Sequence, residues 1–190
     1  MQEAYRVLLS VHVALGSIAL VAFWLALLAP KGSRRHRRGG RIFVWTMAAT
    51  ALTALPLCLA VQVVDPAAIR PPEPGLSAAE LAGYSEHVRG LFRGLAGIGV
   101  FALACLALAL RALRRGRIVD HVVWILSAGV VGHGAFFVSV VPKLLPGIYG
   151  RDPGQNPLPW VLPPLVGALA VAWARRVAAH RYPVRPSTLA

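Results

Sequence analysis

Histidines in the apolar stretches are the residues of this sequence whose type and placement could do chemistry. His133 lies between two glycines in the run VVGHGAFFVSVV, and His12 lies in another apolar run near the start of the chain. An imidazole has two nitrogens that can bind a metal ion or take part in hydrogen bonds. Because burying an ionisable group in an apolar environment is costly, both histidines are candidate functional residues.

The elements that must position these histidines are apolar helices. The composition is 57% hydrophobic and 14% charged, with a mean hydropathy of +0.63, whereas about 25% of residues are charged in an ordinary soluble domain. We therefore expect an all-α, polytopic transmembrane helix bundle that forms a single membrane domain over residues 1–190. The expected spans are about 7–29, 42–64, 91–112, 119–141 and 158–174. In the fifth, Pro163 and Pro164 are expected in the first turn, where proline is tolerated.

The basic residues predict an orientation. Most of the 20 Lys and Arg residues lie on one side of the predicted spans, in residues 31–41, 111–117 and 175–185, and Asp120 is the one acidic residue on that side. By the positive-inside rule this side is cytoplasmic, so the N-terminus is outside and the C-terminus inside. This basic excess lies beside the spans. Its expected partners are the bilayer and its anionic lipid headgroups, and not nucleic acid.

Residues 65–90 are expected to form an outer loop that contains a short helix. The segment DPAAIRPPEPG is too rich in proline to continue a helix. The following SAAE, Ser77 to Glu80, is a capping box that predicts a helix start at Ser77. We expect this helix to lie at the outer surface and to lead into span three. Cys58 and Cys105 are expected at different depths, too far apart for a disulfide bond.

His12 and His133 form a candidate pair of metal ligands. His12 lies six residues after Arg6, and His133 lies nine residues before Pro142, which places them roughly 9 Å and 13 Å from the outer boundary. Gly16 and Gly129 each lie on the same helix face as the respective histidine, and the absence of a side chain there leaves space beside the imidazole. Two such helices could hold a haem b group between them, with His12 and His133 as iron ligands and Gly16 and Gly129 making room for the ring.

A structural interpretation of these histidines stays open beside the haem hypothesis. A single histidine in a membrane span more often forms a hydrogen bond with a neighbouring helix than a bond with a metal. His36 and His121, both at the basic side, mark a possible second cofactor site or make solvent and lipid contacts. The glycines of spans three and four suggest that these two helices form the closest pair. No acidic residue lies deep in a span, which argues against a proton-driven transporter, and no catalytic motif is present.

Three segments of the chain resemble the bacterial membrane proteins catalogued as domain of unknown function 2306. These segments are HVALGSIALVAFWLALL, RRHRRGGRIFVW and IVDHVVWILSAGVVGHGAFF. The positions that match the family pattern are His12 and Gly16 in the first span, His36, Gly40 and Arg41 at the second, and His121 and Trp124 at a later one. The resemblance implies a multipass protein of the bacterial inner membrane and groups His36 and His121 with His12. It implies no particular activity.

Three functions are therefore compatible with the sequence. The first is a haem b electron carrier of the inner membrane, with a redox partner that the sequence does not identify. The second is a non-enzymatic accessory or assembly subunit whose histidines form hydrogen bonds between helices. The third is a protein that binds or transports a small lipophilic molecule such as a quinone. The geometry around His12, His36, His121 and His133 bears on all three.

Overall fold

The chain forms a bundle of long helices in the computed structural model, which describes residues 2–66, 75, 77–144 and 158–182. The described part contains five long α-helices and no strand, so the expected all-helical architecture is confirmed. Each helix contains a stretch that is long and apolar enough to cross a membrane. The helices are α1 (Gln2–Leu28), α2 (Arg34–Val63), α3 (Ala78–Arg114), α4 (Ile118–Leu144) and α5 (Leu158–Arg181).

Two short turns connect α1 to α2 and α3 to α4 at the same end of the bundle, which we call the basic end. Ser33 caps α2, because its side chain accepts a hydrogen bond from the His36 N–H at 3.1 Å. After α3, Gly116 has a φ of +69°. The N–H of Gly116 donates a hydrogen bond to the carbonyl of Leu113, and the N–H of Arg117 donates one to the carbonyl of Ala112. This is a Schellman motif, which needs a residue that tolerates left-handed backbone and so favours glycine.

Each helix packs antiparallel to the helix before it in the chain. Between α2 and α3, Gln62 Nε2 donates to Arg89 O at 3.1 Å near one end, and a Cβ at Gly99 would lie 3.6 Å from Ala51 O further along. Since five helices alternate in direction, α1 begins at one end of the bundle and α5 ends at the other, the basic end.

The core is built from small and aromatic side chains between the first four helices, and in the first three it lies toward the basic end. Phe23, Phe43, Met47, Cys105 and Leu106 pack with buried alanines of α1, α3 and α4. Alanine at these positions lets the helix backbones approach closely, which favours helix association in lipid. Among the described residues no polar or charged residue is fully buried. Both cysteines are buried and unpaired, as expected.

Two helices differ from the sequence-based expectation. The capping box at Ser77 and Glu80 is confirmed, but α3 then continues without interruption to Arg114, so the expected surface helix and span three are one helix of 37 residues. No proline or other helix-breaking feature separates them. In α5, which begins at Leu158, Pro163 and Pro164 lie in the second turn and not the first.

Large apolar side chains cover much of the outside of the bundle. On α1 these include Val7, Val21 and Leu25, each at least 60% exposed, and on α5 Leu169 and Trp173, at 65% and 69%. Exposed apolar area on this scale is unfavourable in water. These faces are therefore suited to contact with lipid or with another membrane-spanning protein.

Candidate functional site

His133 on α4 forms hydrogen bonds through both of its ring nitrogens. The indole Nε1–H of Trp24, on α1, donates to His133 Nε2 at 2.9 Å. His133 Nδ1 lies 2.7 Å from the carbonyl oxygen of Gly129 in its own helix. Because Nε2 accepts, the proton of the neutral ring is on Nδ1, which donates to Gly129 O. With this pairing, neither nitrogen is available to a metal ion.

Aromatic rings of α1 enclose the His133 imidazole. The centroid of Phe23 lies 5.2 Å from that of His133, and the centroid of Trp24 lies 5.7 Å from it, both in edge-to-face geometry. Phe23 in turn packs on Phe43 of α2 at 5.3 Å. Such pairs are favourable beyond the apolar area they bury. His133 is thus joined to the aromatic part of the core.

Gly129 and Gly16, which were expected to leave room for a flat cofactor, make room for side chains of neighbouring helices. A Cβ at Gly129 would lie 2.6 Å from Phe23 Cζ and 2.7 Å from Phe23 Cδ2. A Cβ at Gly16 would lie 3.5 Å from Thr50 Cγ2 on α2. The absence of a side chain at Gly129 is therefore what allows the ring of Phe23 to lie against α4.

His12 forms its hydrogen bonds with α2. Its Nδ1 lies 3.1 Å from Thr50 O and 3.1 Å from Thr53 Oγ1. The hydroxyl of Thr53 itself donates within α2, to Ala49 O at 2.9 Å. An imidazole N–H shared between Thr50 O and Thr53 Oγ1 explains both contacts. His12 therefore connects α1 to α2, whereas His133 connects α4 to α1.

The structure does not bring His12 and His133 together. The partner of His133, Trp24, comes twelve residues after His12 on α1, which is ~18 Å along the helix axis. The expectation that the two histidines share one depth is wrong. Side chains tilt toward the N-terminus of their own helix. In the antiparallel α1 and α4, His133 is therefore directed toward the basic end and His12 away from it. In this arrangement the two cannot bind the same iron.

His36 and His121 make equivalent contacts in two different hairpins at the basic end. His36 Nδ1 lies 2.9 Å from Ala26 O of α1, and His121 Nδ1 lies 3.0 Å from Ala109 O of α3. Each histidine lies in the first turns of its helix and connects that helix to the preceding one. Lys31 also donates to carbonyls at the end of α1, where positive groups complement the helix dipole.

The four histidines therefore share one role in this structure, the connection of helices. His12, His36 and His121 each form hydrogen bonds through Nδ1, and within the described part of the chain their Nε2 atoms have no hydrogen-bond partner. The described residues contain no group of three or more His, Cys, Asp or Glu side chains that could hold a metal ion.

Trp24, Thr50 and Thr53 are hydrogen-bond partners of the histidines that the sequence did not reveal. Nothing in the sequence around Trp24 marks it as a hydrogen-bond donor to another helix, and it is 49% exposed. Thr50 and Thr53 are separated by one helical turn within an apolar helix. The spacing of these two residues could have indicated a polar contact between α2 and another helix, since hydroxyl groups in apolar helices tend to form hydrogen bonds with neighbouring helices.

No family model, curated protein or solved structure matches this chain. The resemblance to domain of unknown function 2306 therefore stays a prediction.

Trp24→Phe is expected to destabilise the bundle by removing the donor to His133 Nε2. Hydrogen bonds between membrane helices contribute about 1 kcal/mol, so thermal unfolding in detergent should shift down by about 2–4 °C. Trp45→Phe is the matched control, because Trp45 is 75% exposed and should tolerate the change. Equal shifts for the two variants would show that the Trp24–His133 bond does not stabilise the protein.

Proposed function

We propose that this protein is a non-enzymatic, integral membrane protein of the accessory or assembly type. In this proposal its histidines stabilise the bundle and perform no chemistry. The observation that carries it is the pairing of His133, whose two nitrogens are occupied by Trp24 and Gly129. The exposed apolar faces of α1 and α5 then serve as contact surfaces for lipid or for another membrane protein.

The proposal includes a location and an orientation. All five helices are long and apolar enough to cross a bilayer. The charge asymmetry supports a bacterial inner membrane protein with the basic end in the cytoplasm, the N-terminus outside and the C-terminus inside. The antiparallel packing of five helices supports the same assignment, because it separates the two termini.

Haem b binding is the second candidate function, and one observation favours it. His12, His36 and His121 each have Nδ1 held by a backbone carbonyl, which is how the protein commonly orients a histidine that binds a metal through Nε2. The ligand pair predicted from the sequence, His12 and His133, does not fit a shared haem iron in this arrangement. His36 and His121 contact different helices, α1 and α3, and thus lie at separate helix–helix contacts. Quinone binding has no comparable support from the described side chains.

A reduced-minus-oxidised absorption spectrum distinguishes the two candidates. We expect a flat spectrum from the full chain purified in detergent after expression with added haem precursor. His12→Ala and His133→Ala should then lower thermal stability by a few °C without any spectral change. A sharp low-spin b-type signal that is lost in His12→Ala, His36→Ala or His121→Ala would overturn the accessory-subunit proposal in favour of haem binding.

A further inference from the structure

A cleft at the basic end combines arginines with an apolar wall. It has a volume of about 230 Å³, and its lining residues are Leu108, Arg111, Ala112, Arg115, Arg117, Asp120 and Trp124. A second cleft, of about 390 Å³, lies against the same helix end and shares Arg111 and Arg115 with the first. We call the first one the hairpin cleft, because it lies between the end of α3 and the start of α4.

The positive charge of the hairpin cleft is only partly neutralised. Asp120 is the one acidic residue at the basic end in the described part of the chain, and it pairs with Arg117. Arg111 lies in the last turn of α3 and Arg115, four residues later, is the C-cap of this helix; both are exposed. Since neither has an acidic partner among the described residues, their guanidinium groups remain available to an anion. Guanidinium matches phosphate oxygens particularly well, through paired hydrogen bonds.

The apolar wall distinguishes a lipid from a free anion. Leu108 lies about one turn from Arg111 toward the middle of the bundle and is 37% exposed, and Trp124 lines the same cleft from α4. Tryptophan is typical of the headgroup level of a bilayer. A phospholipid would place its phosphate against Arg111 and Arg115 and an acyl chain along Leu108. A free phosphate ion would use only the arginines.

The turn between α3 and α4 holds this arrangement in place. The Schellman motif at Gly116 places Arg115 and Arg117 on either side of this glycine, within a three-residue connection. His121, bound to Ala109 O, fixes α4 against α3 among the residues that line the cleft. Because these contacts are between backbone and short side chains, the arginines are presented on a rigid support, which reduces the entropic cost of binding.

We propose that the hairpin cleft is a specific binding site for one anionic phospholipid, with Arg111 and Arg115 as its phosphate ligands. This goes beyond the accessory function proposed above, since it assigns a ligand class and a position. Basic pockets between membrane helices are the usual sites for such headgroups. The remaining arginines of the basic end then interact with the membrane surface only in a diffuse way.

The test is a titration of the purified full chain in detergent with phosphatidylglycerol or phosphatidylcholine, followed by native mass spectrometry. We expect one tightly retained phosphatidylglycerol and no retained phosphatidylcholine. The double variant Arg111→Gln/Arg115→Gln should weaken phosphatidylglycerol binding by about thirtyfold. The variant Arg111→Lys/Arg115→Lys should recover part of it, because it keeps the charge but not the paired hydrogen bonds.

Arg34 and Arg38 provide a matched control. They are also exposed, also one turn apart, and also at the basic end, but on α2. Arg34→Gln/Arg38→Gln should change phosphatidylglycerol binding less than about threefold, since only long-range charge is lost. Equal losses in the two double variants, or equal retention of phosphatidylcholine, would overturn the proposal. So would inorganic phosphate alone protecting the wild-type chain but not Arg111→Gln/Arg115→Gln against thermal unfolding, because that identifies a free anion as the ligand.

Discussion

Gly129→Ala is expected to disrupt the contact between α1 and α4. The new Cβ would lie 2.6 Å from Phe23 Cζ, far inside van der Waals contact. Phe23 has little room to move, because its ring packs on Trp24, Phe43 and His133. Overpacking of this kind costs about 3 kcal/mol, which lowers the thermal midpoint in detergent by roughly 6–12 °C.

Gly97→Ala is the control for this substitution. Gly97 lies in α3, where an added Cβ would have no neighbour within 4 Å, so alanine should stabilise the helix slightly, by about 0.5–1 kcal/mol. Phe23→Leu in the Gly129→Ala background should recover part of the lost stability, because it removes the ring atoms that collide. If the two substitutions were simply additive, the proposed contact between Phe23 and Gly129 would be incorrect.

Gly167→Ala is expected to have an effect of similar size on the contact between α4 and α5. An added Cβ would lie 2.9 Å from Val130 Cγ2 and 3.0 Å from Val130 Cβ. Since the Cβ is attached directly to the backbone, the collision cannot be relieved by a change of rotamer alone, and α5 has to shift. We expect a loss of about 3 kcal/mol, measured again as a lower midpoint of thermal unfolding.

The variant Val130→Ala/Gly167→Ala tests the cause of this loss. It removes both Cγ atoms of Val130 while leaving its Cβ in place, so stability should return only in part. Gly94→Ala, at a site with open space around the new Cβ, should leave the midpoint unchanged or raise it. A Gly167→Ala protein as stable as the Gly94→Ala protein would mean that α5 does not pack on Val130.

The close glycine contacts illustrate where prediction from the sequence failed. The glycines of spans three and four suggested that these two helices form the closest pair, and this is wrong. Gly129 and Gly132 of α4 lie against Phe23 of α1 and Met47 of α2, while Gly94 and Gly97 of α3 have no neighbour there. Glycine content shows that a helix can be approached closely. It does not show which helix approaches it.

The expectation that His12 and His133 lie at one depth was wrong for a related reason. His12 and His133 were each placed in depth by counting residues from the expected helix ends. The vertical offset between α1 and α4 depends instead on which side chains interlock, here Phe23 against Gly129 and Met47 against Gly132. The resulting position of His133 beside Trp24 follows from that packing.

The amino-acid sequence by itself determined the local features of this protein. Apolar runs of sufficient length, the capping box at Ser77 and Glu80, and charges placed at the ends of the runs specified five helices and a basic end, because each depends on residues close together in the chain. The tertiary structure alone decided what the four histidines bind. The partners of His12, His36 and His121 lie ten or more residues away in the sequence. The partner of His133 Nε2 lies on another helix. Contacts of that kind depend on helix rotation and offset, which are set by packing over the whole bundle.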